Sequence, residues 1–461
     1  MCVLHRIEQP RNPKRLNHYY RGLSKEYIKR IAKAVGVVMP ISHEEVLRLM
    51  PRKERAAKIE KNLHNLAHTA MRPMRTFQKP ETYSGIKAPR NISPVPDEQL
   101  LEMSRFLYPF VAALKKADLG WYAPGMDPHS MSTQVARVTR SGKYFGADYS
   151  GFDGHQNRDL RRIVRDIVTL CLPEEYRAEW IERFEMEVTA KATTSFGVVY
   201  EALGSMLSGS AITTVGNTLL NGFFYFVAAA RSGIPLDHVL SYMRHSCILY
   251  GDDSAGPERI KHYFMQTCAQ LGIVVTEEDC SDGLVFLGRL YFEDGSIYSI
   301  FDPMRIMTKI HVTTAARNVP TDVAACNRAH GIKASCKGET WVECICNAIL
   351  RRWGNLAEDA SFFNSEELFR YDERGCVGLP ECLLPVALPL VEKRLGLEAG
   401  MMTAIMMDYD AGLYPSGWID NGCHSNKFSE DVYITDPLNS SLFQVRYPPG
   451  YGGGSAEINR P

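Results

Sequence analysis

Four aspartates carry the chemistry most visible in this chain. The stretch "GADYSGFDGHQ" sets Asp148 where a short apolar strand ends and Asp153 five residues later. The stretch "LYGDDSAG" sets Asp252 and Asp253 side by side after a second apolar run, 246–250. Clustered carboxylates repel and are costly unless a cation neutralises them. If the two strands are neighbours, Asp148 and Asp252 converge at one edge of a sheet. A hard divalent ion suits such a site, because it takes one or two carboxylates and fills its shell with substrate phosphates. Two such ions about 3.5–4 Å apart stabilise the attacking and leaving oxygens of an in-line phosphoryl displacement. The plainer alternative is a solvated acidic turn, since Gly-Asp pairs are ordinary turn material.

A third piece lies between them. In "GSMLSGSAITTVGNTLLNG", 204–222, a Gly/Ser loop runs into a helix. Such a loop offers flexible backbone near a helix N-terminus, where phosphate groups bind well. Thr213 and Asn217 are four apart, so one helical face carries both. Polar groups on an otherwise apolar helix need partners. A helix cap at Thr213 and a satisfied core amide at Asn217 would also account for them.

These pieces occur in one order, and in that order the sequence resembles viral RNA-dependent RNA polymerases. Asp148-x4-Asp153 is similar to polymerase motif A, 208–217 to motif B, and Gly251-Asp252-Asp253 to motif C. The flanks agree. "QKPETYSGIKAPRNI" resembles the basic motif F of the fingers, with Lys79, Lys87 and Arg90, and "LVFLGRLYF" resembles motif E. "FDPMRIMTKIHVTT" and "PRNIS" are most like nodavirus polymerases of positive-strand RNA viruses, with tombusvirus-like enzymes second. The resemblance covers roughly residues 75–315.

The resemblance implies roles residue by residue. Asp148 and Asp252 bind the metals, Mg²⁺ with Mn²⁺ as the alternative, and Asp253 assists. Asp153 with Asn217, helped by Thr213 or Ser208, reads the ribose 2′-OH, the group that separates RNA from DNA precursors. Lys79, Lys87 and Arg90 hold the incoming triphosphate and offset its growing charge. Gly209 and Arg289 contact RNA, although packing under a hairpin is as good an account of Arg289. One departure stands out: the stretch matching motif D, "QLGIVVTEEDCSDG", has no lysine to protonate the pyrophosphate, and Lys261 precedes it.

The implied architecture is α+β: a right-hand polymerase of fingers, palm and thumb, with a small antiparallel palm sheet and many helices. The expected divisions are 1–142 for an N-terminal extension and fingers, 143–158 for palm, 159–200 for fingers, 201–300 for palm, 301–440 for thumb, and 441–461 for a disordered tail. The implied activity is template-directed RNA synthesis by two-metal nucleotidyl transfer. Its partners would be template and nascent RNA, ribonucleoside triphosphates and other viral replication proteins. The rivals are a reverse transcriptase, disfavoured by the lack of a bulky aromatic at 153, and a non-catalytic RNA-binding protein, disfavoured by the intact aspartates.

The elements that must position these residues are dispersed. Segments 24–70 and 97–119 read as helical, the first with Ser24 and Ser42 as N-caps. Segment 71–96 reads as loop. Helices are expected over 159–188 with a break at Pro173, over 213–233, over 257–272 and across most of 320–410. Strands are expected at 143–148 and 247–250, with a hairpin around Glu293-Asp294-Gly295.

Composition sets the bounds. Apolar residues make up 45% of the 461, enough for a sizeable core. Net charge is zero but uneven: residues 1–90 hold 20 Lys and Arg against 7 Asp and Glu, leaving +13 there and −13 in the rest. A basic segment suits a polyanion and an acidic remainder suits cations. The 12 cysteines are scattered without a CxxC pair, as expected of reduced thiols in the cytosol. No apolar run reaches the ~18 residues of a membrane span. The expected location is the host cytoplasm, in membrane-associated replication complexes reached through a partner or a region outside this chain.

Overall fold

The computed structural model describes residues 3–50, 53–61, 73–79, 88–310, 320–357 and 377–412. Lys87, residues 51–52 and 62–70 of the expected 24–70 helical segment and the expected tail 441–461 lie outside them. The chain forms two compact units. One comprises 1–79, 88–126 and 133–287; the other comprises 80–87, 127–132 and 288–461.

The first unit is organised around the Thr213–Arg231 helix. Fifteen of its residues are buried, from Val215 to Ala229. Its aromatic face meets other rings: Tyr225 lies 4.5 Å from Phe264 and stacks on Phe145 at 6.0 Å, and Phe226 lies 5.3 Å from Tyr27. A helix apolar on every side belongs in a core. Against it packs a four-stranded antiparallel sheet, ordered β6 (Ile248–Tyr250), β7 (Asp253–Pro257), β3 (Tyr144–Tyr149), β8 (Val275–Glu278). The strand order places the two expected carboxylate strands, β3 and the β6–β7 pair, side by side. Gly256 is required in β7, since a Cβ there would meet the Tyr225 ring at 2.5 Å. A further strand, β9 (Leu284–Phe286), packs against β3 and β7.

A second sheet holds β2 (Asn91–Ile92), β1 (Met74–Gln78), β4 (Lys191–Thr194) and β5 (Val199–Glu201) in that order, with β1 and β4 parallel. Segment 71–96 is therefore not all loop. Its strands are too short and too basic to announce themselves, and are held by pairing with β4 rather than by local pattern. The expected helices stand at Asp97–Lys116, Arg158–Cys171, Glu174–Val188 and Glu258–Leu271. The first long helix departs from expectation. It spans His18–Val35, capped by Asn17, whose side chain accepts the Tyr20 N–H, so Ser24 is buried mid-helix. Ser42 does cap its helix, accepting the Glu45 N–H at 3.2 Å.

In the second unit, β10 (Arg289–Tyr291) pairs antiparallel with β11 (Ser299–Phe301), the expected hairpin. Helices Thr321–Ser335, Thr340–Ala357, Leu384–Leu395 and Met401–Asp410 follow. The cysteines of the described residues are free and mostly buried, and burial pushes the Cys171 and Cys247 thiols up to about 12. Among the described residues no helix is long and apolar enough to cross a membrane.

Candidate active site

The turn between β6 and β7 is a two-residue hairpin loop. Tyr250 pairs with Asp253, leaving Gly251 and Asp252 at the tip. Gly251 has φ 64°, a left-handed value that glycine adopts freely and that two-residue hairpins demand at the first loop position. In the β3–β7 register Ala147 faces Ser254, so the next pair out sets Asp148 opposite Asp253. Like charges directly opposite on a sheet face are destabilising. Asp252 shares the crowding. Desolvation raises its carboxyl above the usual range and the Asp148 charge raises it further, while Arg90 pulls it down.

The hairpin tip is pinned from below. The Gly251 N–H donates to Thr218 Oγ1 at 2.8 Å, and its carbonyl accepts Asn221 Nδ2 at 3.1 Å. Asn221 also accepts the Tyr149 hydroxyl at 2.7 Å. One buried amide thus ties the end of β3 to the β6–β7 turn. Neither Thr218 nor Asn221 was singled out from sequence. The signal was present, because Asn221 is one helical turn beyond Asn217 on the same apolar helix. Replacing Asn221 with Leu leaves the Tyr149 hydroxyl and the Gly251 carbonyl unpaired. Urea denaturation should show a loss of about 2–4 kcal/mol, against about 1–3 kcal/mol for Thr218→Val.

Beside the acidic tip, Asp153 sits on the short Phe152–His155 helix. Asn217 Nδ2 donates to Asp153 Oδ1 at 2.8 Å, and Gln156 Nε2 donates to Asn217 Oδ1 at 2.7 Å. Gln156, also missed from sequence, fixes which way the Asn217 amide points. Its own Oε1 is buried without a protein partner. Desolvation pushes the Asp153 carboxyl up to about 6; Asn217 opposes this, Asp252 adds to it, and Arg161 and Arg90 oppose it.

The other sequence candidates fall into three groups. Thr213 and Ser208 shape the loop 204–212: Thr213 Oγ1 donates to the Leu207 carbonyl at 2.7 Å, and Ser208 Oγ accepts the Ser93 N–H at 3.0 Å. Gly209 lies against Pro94 so closely that a Cβ would meet the Ser93 carbonyl at 2.7 Å. Lys79 and Arg90 face each other across the mouth of the β1–β2 pair, where the Lys79 N–H donates to the Arg90 carbonyl at 2.9 Å. Arg289 belongs to the second unit. It braces the β10–β11 hairpin, bonding the Ser299 carbonyl at 2.8 Å and fully buried Glu339 at 2.6 Å.

A cleft of about 530 Å³ in the first unit is lined by Asp153, Asn217, Ser208, Thr213, Asp252 and Asp253, with Lys79, Arg90 and Arg6 among the basic residues. Asp148 is not in that lining; it stands beside it on β3. The cleft therefore has an acidic floor, a hydrogen-bonding wall and a basic wall. Among the described residues no three His, Cys, Asp or Glu side chains form a complete metal cage. The donors are hard carboxylate oxygens crowded at one hairpin tip, which fits a divalent cation completed by water and phosphate oxygens. Lys261 is held by Glu258 and by Glu277 on β8.

The family described as viral RNA-dependent RNA polymerase matches residues 89–303, a span that includes every residue of the acidic floor and the hydrogen-bonding wall. An RNA-directed RNA polymerase of Pariacoto virus is 27% identical over 357 residues, covering 76% of this chain and 36% of its own. That of Greasy grouper nervous necrosis virus is 27% identical over 310 residues, covering 66% and 31%. That of Flock house virus is 24% identical over 358 residues, covering 75% and 35%. The chain spans about a third of the length of the curated relatives it matches.

Proposed function

We propose that this chain, whose residues 89–303 belong to the viral RNA-dependent RNA polymerase family, extends RNA along an RNA template. The observation that carries this reading is the convergence in one cleft of the Asp252–Asp253 tip and the Asp153–Asn217 pair, with Asp148 beside them. On this reading the β6-β7-β3-β8 sheet and the Thr213–Arg231 helix form the palm, the β2-β1-β4-β5 sheet belongs to the fingers, and 301–440 is the thumb. On the same reading the chain works in the host cytoplasm, brought to membrane-associated replication complexes by a partner or by a region outside this chain.

Asp148, Asp252 and Asp253 would hold the cation, Mg²⁺ first and Mn²⁺ as the alternative. Once bound, it supplies charge stabilisation at the attacking 3′ oxygen and the departing pyrophosphate. The protein's own residues do the rest. Asp153, its amide partner fixed by Gln156, accepts the ribose 2′-OH. Arg90 and Lys79 meet the triphosphate, Arg90 suiting bidentate phosphate contact. The Thr218 and Asn221 bonds keep the hairpin tip from moving as charge builds, so no reorganisation is needed during reaction. Ser208, tied to Asn91 and Ser93, helps Asp153 and Asn217 at the ribose, and Gly209, against Pro94, contacts RNA. Lys261 is occupied by two glutamates, so the pyrophosphate proton comes from another donor.

The test is incorporation of labelled ribonucleotides on a primed RNA template. EDTA should abolish it and excess Mg²⁺ should restore it. Incorporation indifferent to EDTA would contradict the metal assignment.

A further inference from the structure

We infer that residues 3–16 form a strap that sets the shape of the nucleotide cleft, and that Arg6 is a positioning residue for its basic wall. The strap touches both sides of the cleft. Val3 and Ile7 pack against a small apolar cluster of Met74, Val95, Ala192 and Tyr200 beneath the β1–β5 sheet. Arg6 donates from Nε at 3.1 Å and from Nη2 at 2.8 Å to the carbonyl of Ala88, two residues before Arg90. Buried Pro10 then closes on the turn that carries Asp153, where a Cβ on Gly154 would meet the Arg6 carbonyl at 2.8 Å and Pro10 Cβ at 2.9 Å. Asn12 donates to the His155 carbonyl at 2.9 Å and the Leu271 carbonyl at 2.8 Å. Asn157 returns a bond to the Lys14 carbonyl at 2.7 Å, and Lys14 Nζ reaches the Ala269 carbonyl at 2.6 Å.

The physical consequence is specific. Ala88 leads to Arg90, whose charge acts on both Asp153 and Asp252. A guanidinium bonding one carbonyl through two N–H groups fixes that carbonyl in direction as well as distance, which an ammonium cannot do. Arg6 thereby sets where Arg90 stands relative to the acidic floor. Because Gly154 leaves no room for a side chain, the same strap holds the Asp153 turn at a set height. The strap acts before chemistry, on nucleotide binding.

This inference rests on the polymerase reading for its effect on substrate, but not for its effect on structure, and the experiment separates the two. Nucleotide kinetics and hydrogen exchange are measured on the full chain, on Arg6→Ala and on Arg6→Lys. Arg11→Ala is the comparison, an exposed strap arginine that pairs with Glu8 and reaches the Glu201 carbonyl of β5 only at 3.3 Å, away from 88–93. The expected result for Arg6→Ala, which removes both N–H donations to the Ala88 carbonyl, is a rise of about tenfold in the ribonucleotide KM with kcat within about twofold. Amides of 88–93 should exchange about tenfold faster while 248–257 are unchanged. Arg6→Lys should fall between, and Arg11→Ala should match the natural chain. Unchanged exchange at 88–93, or faster exchange throughout, overturns the inference. If the natural chain incorporates no nucleotide, the polymerase reading fails, and the exchange result still decides the strap.

Discussion

Asp252→Asn should reduce ribonucleotide incorporation by about 10³-fold or more, a loss of roughly 4 kcal/mol in transition-state stabilisation, while leaving the protein folded. The two halves of this expectation have one cause. Asp252 lies at a hairpin tip where burial and the Asp148 charge both hold its carboxyl above the usual range. A carboxylate kept in such a place makes the fold less stable, not more. Its raised pKa means that its favourable contribution is present below the ordinary carboxylate range and is lost as pH rises through the folded value. At neutral pH without metal, Asn at 252 should therefore leave the melting temperature unchanged or higher. Adding Mg²⁺ should raise the melting temperature of the natural chain and do so less for the variant, because the ion binds only the folded site. Calorimetry with and without Mg²⁺ checks this. A variant that loses activity by unfolding would place Asp252 in the fold's support rather than in the site.

The second large effect concerns ribose. Asp153→Ala should cut discrimination between ribo- and deoxyribonucleotides by roughly 10–100-fold, the worth of a hydrogen bond to a charged acceptor. The pH dependence follows from the raised carboxyl, at about 6. Above that pH Asp153 is charged and accepts the 2′-OH strongly. As pH falls from 7.5 to 5.5 it takes up a proton, so the natural chain's ribonucleotide KM should rise. The deoxyribonucleotide KM, and both KM values in Asp153→Ala, should stay nearly flat. Stability moves the other way. The shift from 3.8 to about 6 disfavours the folded state above that range by up to about 3 kcal/mol. Asp153→Asn, which keeps the shape and drops the charge, should raise the melting temperature at pH 7.5 and lose that advantage at pH 4. A variant less stable at pH 7.5 than the natural chain would contradict the assignment of desolvation as the main cause. Such a trade of stability for function is usual where a site must hold unfavourable charge.

The acidic tip and the Asp153–Asn217 pair are legible in sequence because strand ends, glycine and paired aspartates are local signals, and because three motifs stand in one order. The groups that hold them were harder to see. Thr218 and Asn221 look like ordinary polar residues on a buried helix until β6–β7 is laid against them. Gln156 carries no spacing that separates it from a loop residue. Arg6 reaches a carbonyl 82 positions away, and no periodicity reports a contact of that range. The β1, β2, β4 and β5 strands escaped for a related reason: each has five residues or fewer, and tertiary pairing rather than alternation decides them. The first helix shows a local failure. Ser followed by acidic residues is a good cap signal, but Asn17 offers the same chemistry about two turns earlier, and the apolar positions Tyr20 and Tyr27 belong to the core.

Single-nucleotide extension of a primed RNA template tests the central claim most directly. Four templates differing only in the first unpaired base would each be offered all four labelled ribonucleotides in Mg²⁺. The natural chain should add the complementary ribonucleotide on each template, and Asp252→Asn should add none. Extension that ignores the template base, or that survives in Asp252→Asn, would contradict that claim.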